Sequence, residues 1–204
     1  MKVAVPVAMT DSNVTSDAVD ETYPVWGEIG SKTTLRSGFY ADAVWENPLT
    51  LDLYAVVTSP QKNAIYRKLA AESFFTVIKT FADFTVNGFD GITGDPSLGL
   101  IYVWGSDNTD IGYVLSYAPA TGLDTEIYYT STGVPIQGFA VNTSDHSLYL
   151  YDTEIKRREY GVEAFVSFST DFPDGIESVA VNSITGNIYV VVEDSIDEHT
   201  VTLS

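Results

Sequence analysis

One thirteen-residue outline occurs four times in this chain, and an internal repeat constrains a fold more than any composition does. The copies read "AVWENPLTLDLYA" from Ala43, "GITGDPSLGLIYV" from Gly91, "GFAVNTSDHSLYL" from Gly138 and "SVAVNSITGNIYV" from Ser178. Position five is always Asn or Asp: Asn47, Asp95, Asn142, Asn182. Position eleven is Leu53, Ile101, Leu148 or Ile188, and position twelve is always tyrosine: Tyr54, Tyr102, Tyr149, Tyr189. The tyrosines recur at intervals of roughly 40 to 48 residues, the length of one supersecondary unit.

Each copy reads as a hairpin. An apolar strand runs into Asn or Asp, whose short side chain can bond nearby backbone amides and so favours a turn. Pro48 and Pro96 fix φ in two copies, and Gly99 and Gly186 relax the turn in two. The strand that follows ("LDLYAVV", "LIYVW", "SLYLY", "NIYVVV") is nearly continuous in apolar residues, the mark of a strand buried on both faces. More strand-like material follows each copy: "NAIYRKL" and "FFTVIKTF", then "GYVLSYA" and "TEIYYTS", then "REYGVEAFV" and "SFST". A rival reading makes "AIYRKLAAESFFTVIKTF" an amphipathic helix, with Ile65, Leu69, Phe75 and Ile78 at near-helical spacing. That segment, however, falls where the unit needs two further strands.

A four-stranded unit repeated at this interval resembles a β-propeller blade, particularly blades whose inner hairpin reads like D-P-x-x-G-x-I-Y-V. The resemblance covers residues 38–204 and implies an all-β, propeller-like array of about four four-stranded blades. The expected repeats fall around 38–84, 85–133, 134–174 and 175–204, within a domain of 31–204. The last repeat leaves room only for the rest of one strand and a further one, "HTVTLS". An unpaired edge there invites aggregation, so "SKTTLRS" or "KVAVPVA" is expected to pair with it.

Residues 1–30 have no counterpart in the repeats and read as an extended arm. The stretch "VPVAMTDSNVTSDAVDETYPVW" resembles the opening of a group of bacteriophage virion proteins, often tail-associated. It does so through Val5, Pro6, Val7, Thr10, Asp11, Thr15, Ser16, Val19, Glu21, Tyr23, Pro24 and Trp26. Two departures stand out. Asp20 precedes the Glu where the group usually has an apolar residue or Pro, and "GEIGSKTTLRSGFY" replaces the small Y-x-x-G-x-x-V module that usually follows. The resemblance implies a structural virion component made in the host cytoplasm and attached near the tail or neck. Its partners would be tail, neck or portal-proximal proteins and further copies of itself. Val5, Pro6, Val7, Tyr23, Pro24 and Trp26 are then the candidate contact residues, with the aromatic pair as anchors.

Charge narrows the partners. With 28 acids against 10 bases, the net charge of −18 opposes binding to phosphate backbones or anionic lipid. No stretch approaches the roughly 18 apolar residues of a membrane span. Three of the bases sit together at Lys156, Arg157 and Arg158, a candidate dock for an acidic arm. The absence of cysteine removes disulfides and zinc-finger spacings from consideration.

No nucleophile-elbow, P-loop or zinc-protease motif occurs, so no catalytic residue, cofactor or metal is assigned. His146 and His199 read as solvated side chains, and "SDNTD" at Ser106–Asp110 lacks the ligand count of a calcium loop. Asp42, Glu46 and Asp90 lie near predicted inner strands, where propeller glycosidases place paired carboxylates. The position-twelve tyrosines lie in the most apolar strand of each unit and are expected to pack between blades rather than to stack on sugars. A carbohydrate- or protein-binding module is the alternative function.

Overall fold

Position five makes the same turn in all four repeats. The side-chain oxygen of Asn47 accepts the amide of Leu49 at 2.9 Å, and that of Asp95 accepts Ser97 at 3.1 Å. Asn142 likewise accepts Ser144 at 3.1 Å, and Asn182 accepts Ile184 at 2.9 Å. Position nine then adopts the left-handed region each time, at Leu51 (φ 61°), Gly99 (65°), His146 (62°) and Gly186 (76°). Two copies place glycine there, where a side chain is strained; two do not.

The computed structural model describes residues 40–59, 63–81, 86–107, 109–131, 133–169, 176–192 and 195–199, all within one compact unit, Gly38–Ser204. The first sheet runs β1 (Tyr40–Glu46), β2 (Leu53–Ser59), β3 (Ala64–Lys68) and β4 (Thr76–Thr80). The second runs β5 (Val86–Asp95), β6 (Leu100–Asp107), β7 (Gly112–Ala118) and β8 (Leu123–Tyr129). The third is β9 (Gly138–Asn142), β10 (Ser147–Tyr151), β11 (Ile155–Arg158) and β12 (Val166–Ser169). The fourth shows β13 (Ile176–Val181), β14 (Ile188–Val192) and β15 (Ser195–His199). Every sheet is an antiparallel meander, and the described residues contain no helix.

Position twelve faces the next sheet, and positions eleven and thirteen face the previous one. Tyr54, with Val56 and Ile65, packs on Phe89, Ile92, Ile101 and Val103 of the second sheet. Tyr102 and Val114 pack on Phe139, Val141, Leu148 and Leu150 of the third. Tyr149 and Ile155 pack on Ile176, Val179, Ile188 and Val190 of the fourth. Burying each such side chain stabilises the fold by roughly 1.5–3 kcal/mol, so each sheet depends on its neighbours. The expectation of strands buried on both faces, with tyrosines between blades, is borne out at Tyr54, Tyr102 and Tyr149, while Tyr189 is half-buried. The described sheets form a series from first to fourth.

Inner strands also touch, β1 on β5, β5 on β9 and β9 on β13. Position one is small in every copy (Ala43, Gly91, Gly138 and Ser178); at Gly91 this leaves room for the Trp104 indole of the paired strand, and at Gly138 for the neighbouring inner strand. A Cβ on Gly138 would stand 2.8 Å from the backbone nitrogen of Val179 and 3.1 Å from the Ser178 Cα. Backbone cannot rotate away as a side chain can, so Gly138→Ala is expected to separate β9 from β13. The expected cost is about 1–3 kcal/mol, read as a lowered urea midpoint.

The two-strand reading of "AIYRKLAAESFFTVIKTF" holds, and two other sequence expectations are corrected. "AIYRKLAAESFFTVIKTF" holds β3 and β4 rather than a helix, since Ala64, Ile65 and Tyr66 are buried together, facing both sides of the sheet. "REYGVEAFV" is mostly turn: Val162 donates to the Glu159 carbonyl at 3.1 Å with Gly161 at φ 77°. The strands there are β11 and β12. The strand that follows β14 is "SIDEH", whose backbone pairs with β14 whatever the side chains' polarity, while "HTVTLS" beyond His199 lies outside the described residues. The fourth sheet therefore shows three strands among the described residues, not four. "SKTTLRS", "KVAVPVA" and the arm lie outside the described residues.

Candidate functional site

The hairpin turns of the second and third sheets are joined by a carboxylate with two duties. Asp95 is fully buried. Its Oδ1 closes its own turn by accepting the amides of Ser97 and Leu98 and the Ser97 hydroxyl, at 3.1, 3.2 and 2.7 Å. Its Oδ2 meets Nδ1 of His146 at 2.6 Å. Burial raises the Asp95 carboxyl, but bonds from Ser97, His146 and the Leu98 amide outweigh it and hold the group below its ordinary value. As the ionised partner, Asp95 accepts, so Nδ1 of His146 carries the proton and Nε2 is the outward nitrogen.

His146 occupies the left-handed position of its turn, where the second and fourth repeats have glycine. An aspartate in place of asparagine and a histidine in place of glycine are thus two departures from the repeat, and they meet. His146 is therefore held by a buried acid, which corrects the expectation of a solvated side chain. Its ring lies 5.1 Å from that of Tyr160, which is 64% exposed. The Glu159–Val162 turn holds Tyr160 out, and Nε of Arg158 donates to the Val162 carbonyl at 2.5 Å across its base.

These groups line one wall of a cleft of about 360 Å³ between the second and third sheets, within the usual small-molecule range of about 300–1,000 Å³. Leu98, Leu100 and Tyr102 form the other wall with Ser116 and Ile127. Burial, aided by the charge of Asp95 and opposed by that of Arg158, pushes the Tyr102 phenol up to about 12, so it remains an O–H donor at neutral pH.

The three clustered bases separate in space. Lys156 Nζ contacts buried Asp152 at 2.5 Å and Tyr128 Oη at 2.9 Å, and Tyr128 donates to Asp152 at 2.6 Å. Burial raises Asp152, but bonds from Lys156, Tyr128 and the Thr153 amide hold its carboxyl down. This network ties the second sheet to the third. Arg157 lies over the Tyr149 ring at 5.8 Å and pairs with Asp145 and Glu159 at 3.5 and 3.3 Å. Arg158 alone turns into the cleft.

Among the other candidates, Asp42, Glu46 and Asp90 are exposed on inner strands β1 and β5. Crowding by neighbouring atoms, then the charge of Asp42, pushes the Asp90 carboxyl above its ordinary value. In "SDNTD", Asp107 Oδ1 is taken up by the Thr109 amide and hydroxyl and the Ile111 amide. Among the described residues no His, Cys, Asp or Glu cluster suits a metal ion. His199 lies in β15. Val5, Pro6, Val7, Tyr23, Pro24 and Trp26 lie outside the described residues.

Neither the known family models nor the curated proteins give a match to this sequence. Solved structures do match in fold. The Nidogen/Laminin complex aligns with a TM-score of 0.58 at 14% identity, over 74% of this chain and 56% of that one. A β-propeller domain from Myceliophteria thermophila gives 0.58 at 11% identity, over 80% and 54%. An auxiliary nutrient binding protein from Bacteroides thetaiotaomicron gives 0.57 at 14%, over 75% and 36%, and the Niastella koreensis GH74 enzyme gives 0.57 at 17%, over 76% and 28%. The chain spans little more than half of these proteins, or less. At such identities the likeness establishes the fold: an all-β, propeller-like blade array.

Proposed function

We propose that this chain is a non-enzymatic structural component of a bacteriophage virion, attached near the tail or neck through its amino-terminal arm. The observation that carries the reading is the arm pattern from Val5 to Trp26, joined to a body of interlocked blades. An arm of this composition supplies backbone hydrogen bonds and two aromatic anchors to a neighbour, whether another tail, neck or portal-proximal protein or a further copy. Lys156, Arg157 and Arg158 belong to the same proposed contact set. Of the three, Arg158 has the freest head group.

The test keeps the chain full length. Particles assembled with the Tyr23→Ala, Trp26→Ala double variant are expected to carry at least tenfold less of the protein than wild-type particles, with its far-ultraviolet circular dichroism unchanged. Undiminished incorporation would remove the arm from the account. Turnover of a glycan by the wild-type chain, abolished by Asp90→Asn, would overturn the non-enzymatic part.

A second reading, a carbohydrate- or protein-binding module for host-surface recognition, is favoured by the cleft beside His146. It sits well with an auxiliary nutrient binding protein among the similar structures. The two readings are compatible in one molecule: an arm that attaches and a blade body that recognises.

A further inference from the structure

We propose that the cleft between the second and third sheets binds a glycan unit bearing a carboxylate, gripped by Arg158 and stacked on Tyr160. The inference rests on the recognition reading above and names its ligand class.

The cleft arises from a difference between repeats. In the first and third sheets the position-twelve tyrosine stands opposite an arginine on the adjacent strand, Tyr54 facing Arg67 and Tyr149 facing Arg157. In the second sheet Tyr102 faces Ser116. A hydroxymethyl group leaves open the space that a guanidinium takes elsewhere, and Ser116 and Tyr102 both line the opening. The third sheet answers from across the gap with Arg158, whose Nε is fixed to the Val162 carbonyl. Its two terminal amino groups have no partner among the described residues.

A pair of parallel N–H donors on a fixed plane matches the two oxygens of a carboxylate. A phosphate would bring a second negative charge into a chain of net charge −18, and Glu159 also lines the cleft, although it faces Arg157 at 3.3 Å. The single charge of a carboxylate suits this field better. The rest of the cleft suits a ring with one apolar face and several hydroxyls. Tyr160 offers an exposed aromatic surface held rigid by its turn, and Leu98 and Leu100 offer an apolar floor. His146 Nε2 and the Ser116 hydroxyl offer polar contacts at the edge. Asp95 fixes the imidazole, so the ligand does not have to order it.

Calorimetric titration of the full chain tests this with tri-galacturonate and its carboxyl-reduced neutral form, and with sialyllactose and lactose. The two acid probes distinguish a uronate from a sialate source. At least one acid probe is expected to bind tenfold or more tightly than its neutral counterpart. Arg158→Ala should remove that preference, Tyr160→Ala should weaken binding about tenfold, and Ser116→Arg should abolish it by placing there the arginine that the first and third sheets carry. Should Ser116→Arg fail to fold, the other two variants decide, since Tyr160 is exposed and Arg158 lies at a strand end. Equal binding of acid and neutral probes would overturn this inference and leave glycan recognition standing. No binding to any probe would overturn both, while virion attachment answers to its own test. Acid preference that survives Arg158→Ala would also overturn it.

Discussion

Tyr149→Ala is expected to destabilise the protein by about 3–5 kcal/mol, the cost of emptying a large buried aromatic site. Tyr149 is 2% exposed, packs edge-on against Phe168 with ring centroids 5.6 Å apart, and lies under Arg157. Its removal opens a hole between the third and fourth sheets and strips the guanidinium of its ring. Tyr54→Ala and Tyr102→Ala should cost similar amounts, because each tyrosine fills the gap to the following sheet and is at most 5% exposed. Tyr189 holds the same place in the fourth repeat but is only half-buried, so Tyr189→Ala should cost clearly less. Urea unfolding of the four variants reads the series directly. Four equal losses would mean that the tyrosine acts within its own sheet, and the account of interlocking blades would fail.

Asp95→Ala is expected to cost about 2–3 kcal/mol, because it leaves the Ser97 and Leu98 amides and the His146 ring without their acceptor. Asp95→Asn should cost only about 1 kcal/mol, since asparagine makes the same turn in the other three repeats and only the charge-assisted bond to His146 is weakened. The pH dependence separates the two duties. The folded carboxyl titrates below its ordinary value, so its contribution is complete above about pH 4 and is lost as pH falls through the depressed folded value. The stability gap between wild type and Asp95→Asn, on the order of 1 kcal/mol while Asp95 is ionised, should therefore close below about pH 4. Asp152 titrates in the same direction, but it is present in both proteins and cancels. A gap that persists undiminished well below pH 4 would contradict the assignment.

The repeat made much of this fold legible. Position five does one job in every copy, and positions eleven and twelve do theirs wherever a neighbouring sheet packs on them, and that uniformity is what a sequence displays. The outer strands were less legible, because backbone pairing holds them with little demand on side chains; "SIDEH" and the turn after Arg158 show this. The candidate site was nearly invisible for the opposite reason. It is built where copies differ: Asp95 against three asparagines, His146 against glycine, Ser116 against Arg67 and Arg157. Each substitution is unremarkable until the sheets bring them together. The small residues at position one were a signal of close approach within reach, by the Trp104 indole at Gly91 and by the β13 backbone at Gly138.

The attachment reading makes the arm a connector and the blade array its cargo, and that pairing is open to one direct measurement. Quantitative mass spectrometry of particles banded from the source lysate is expected to find this chain at a fixed ratio to the capsid protein, with the ratio reporting tail, neck or capsid symmetry. Its absence from clean particles would contradict virion attachment and leave a free binding module.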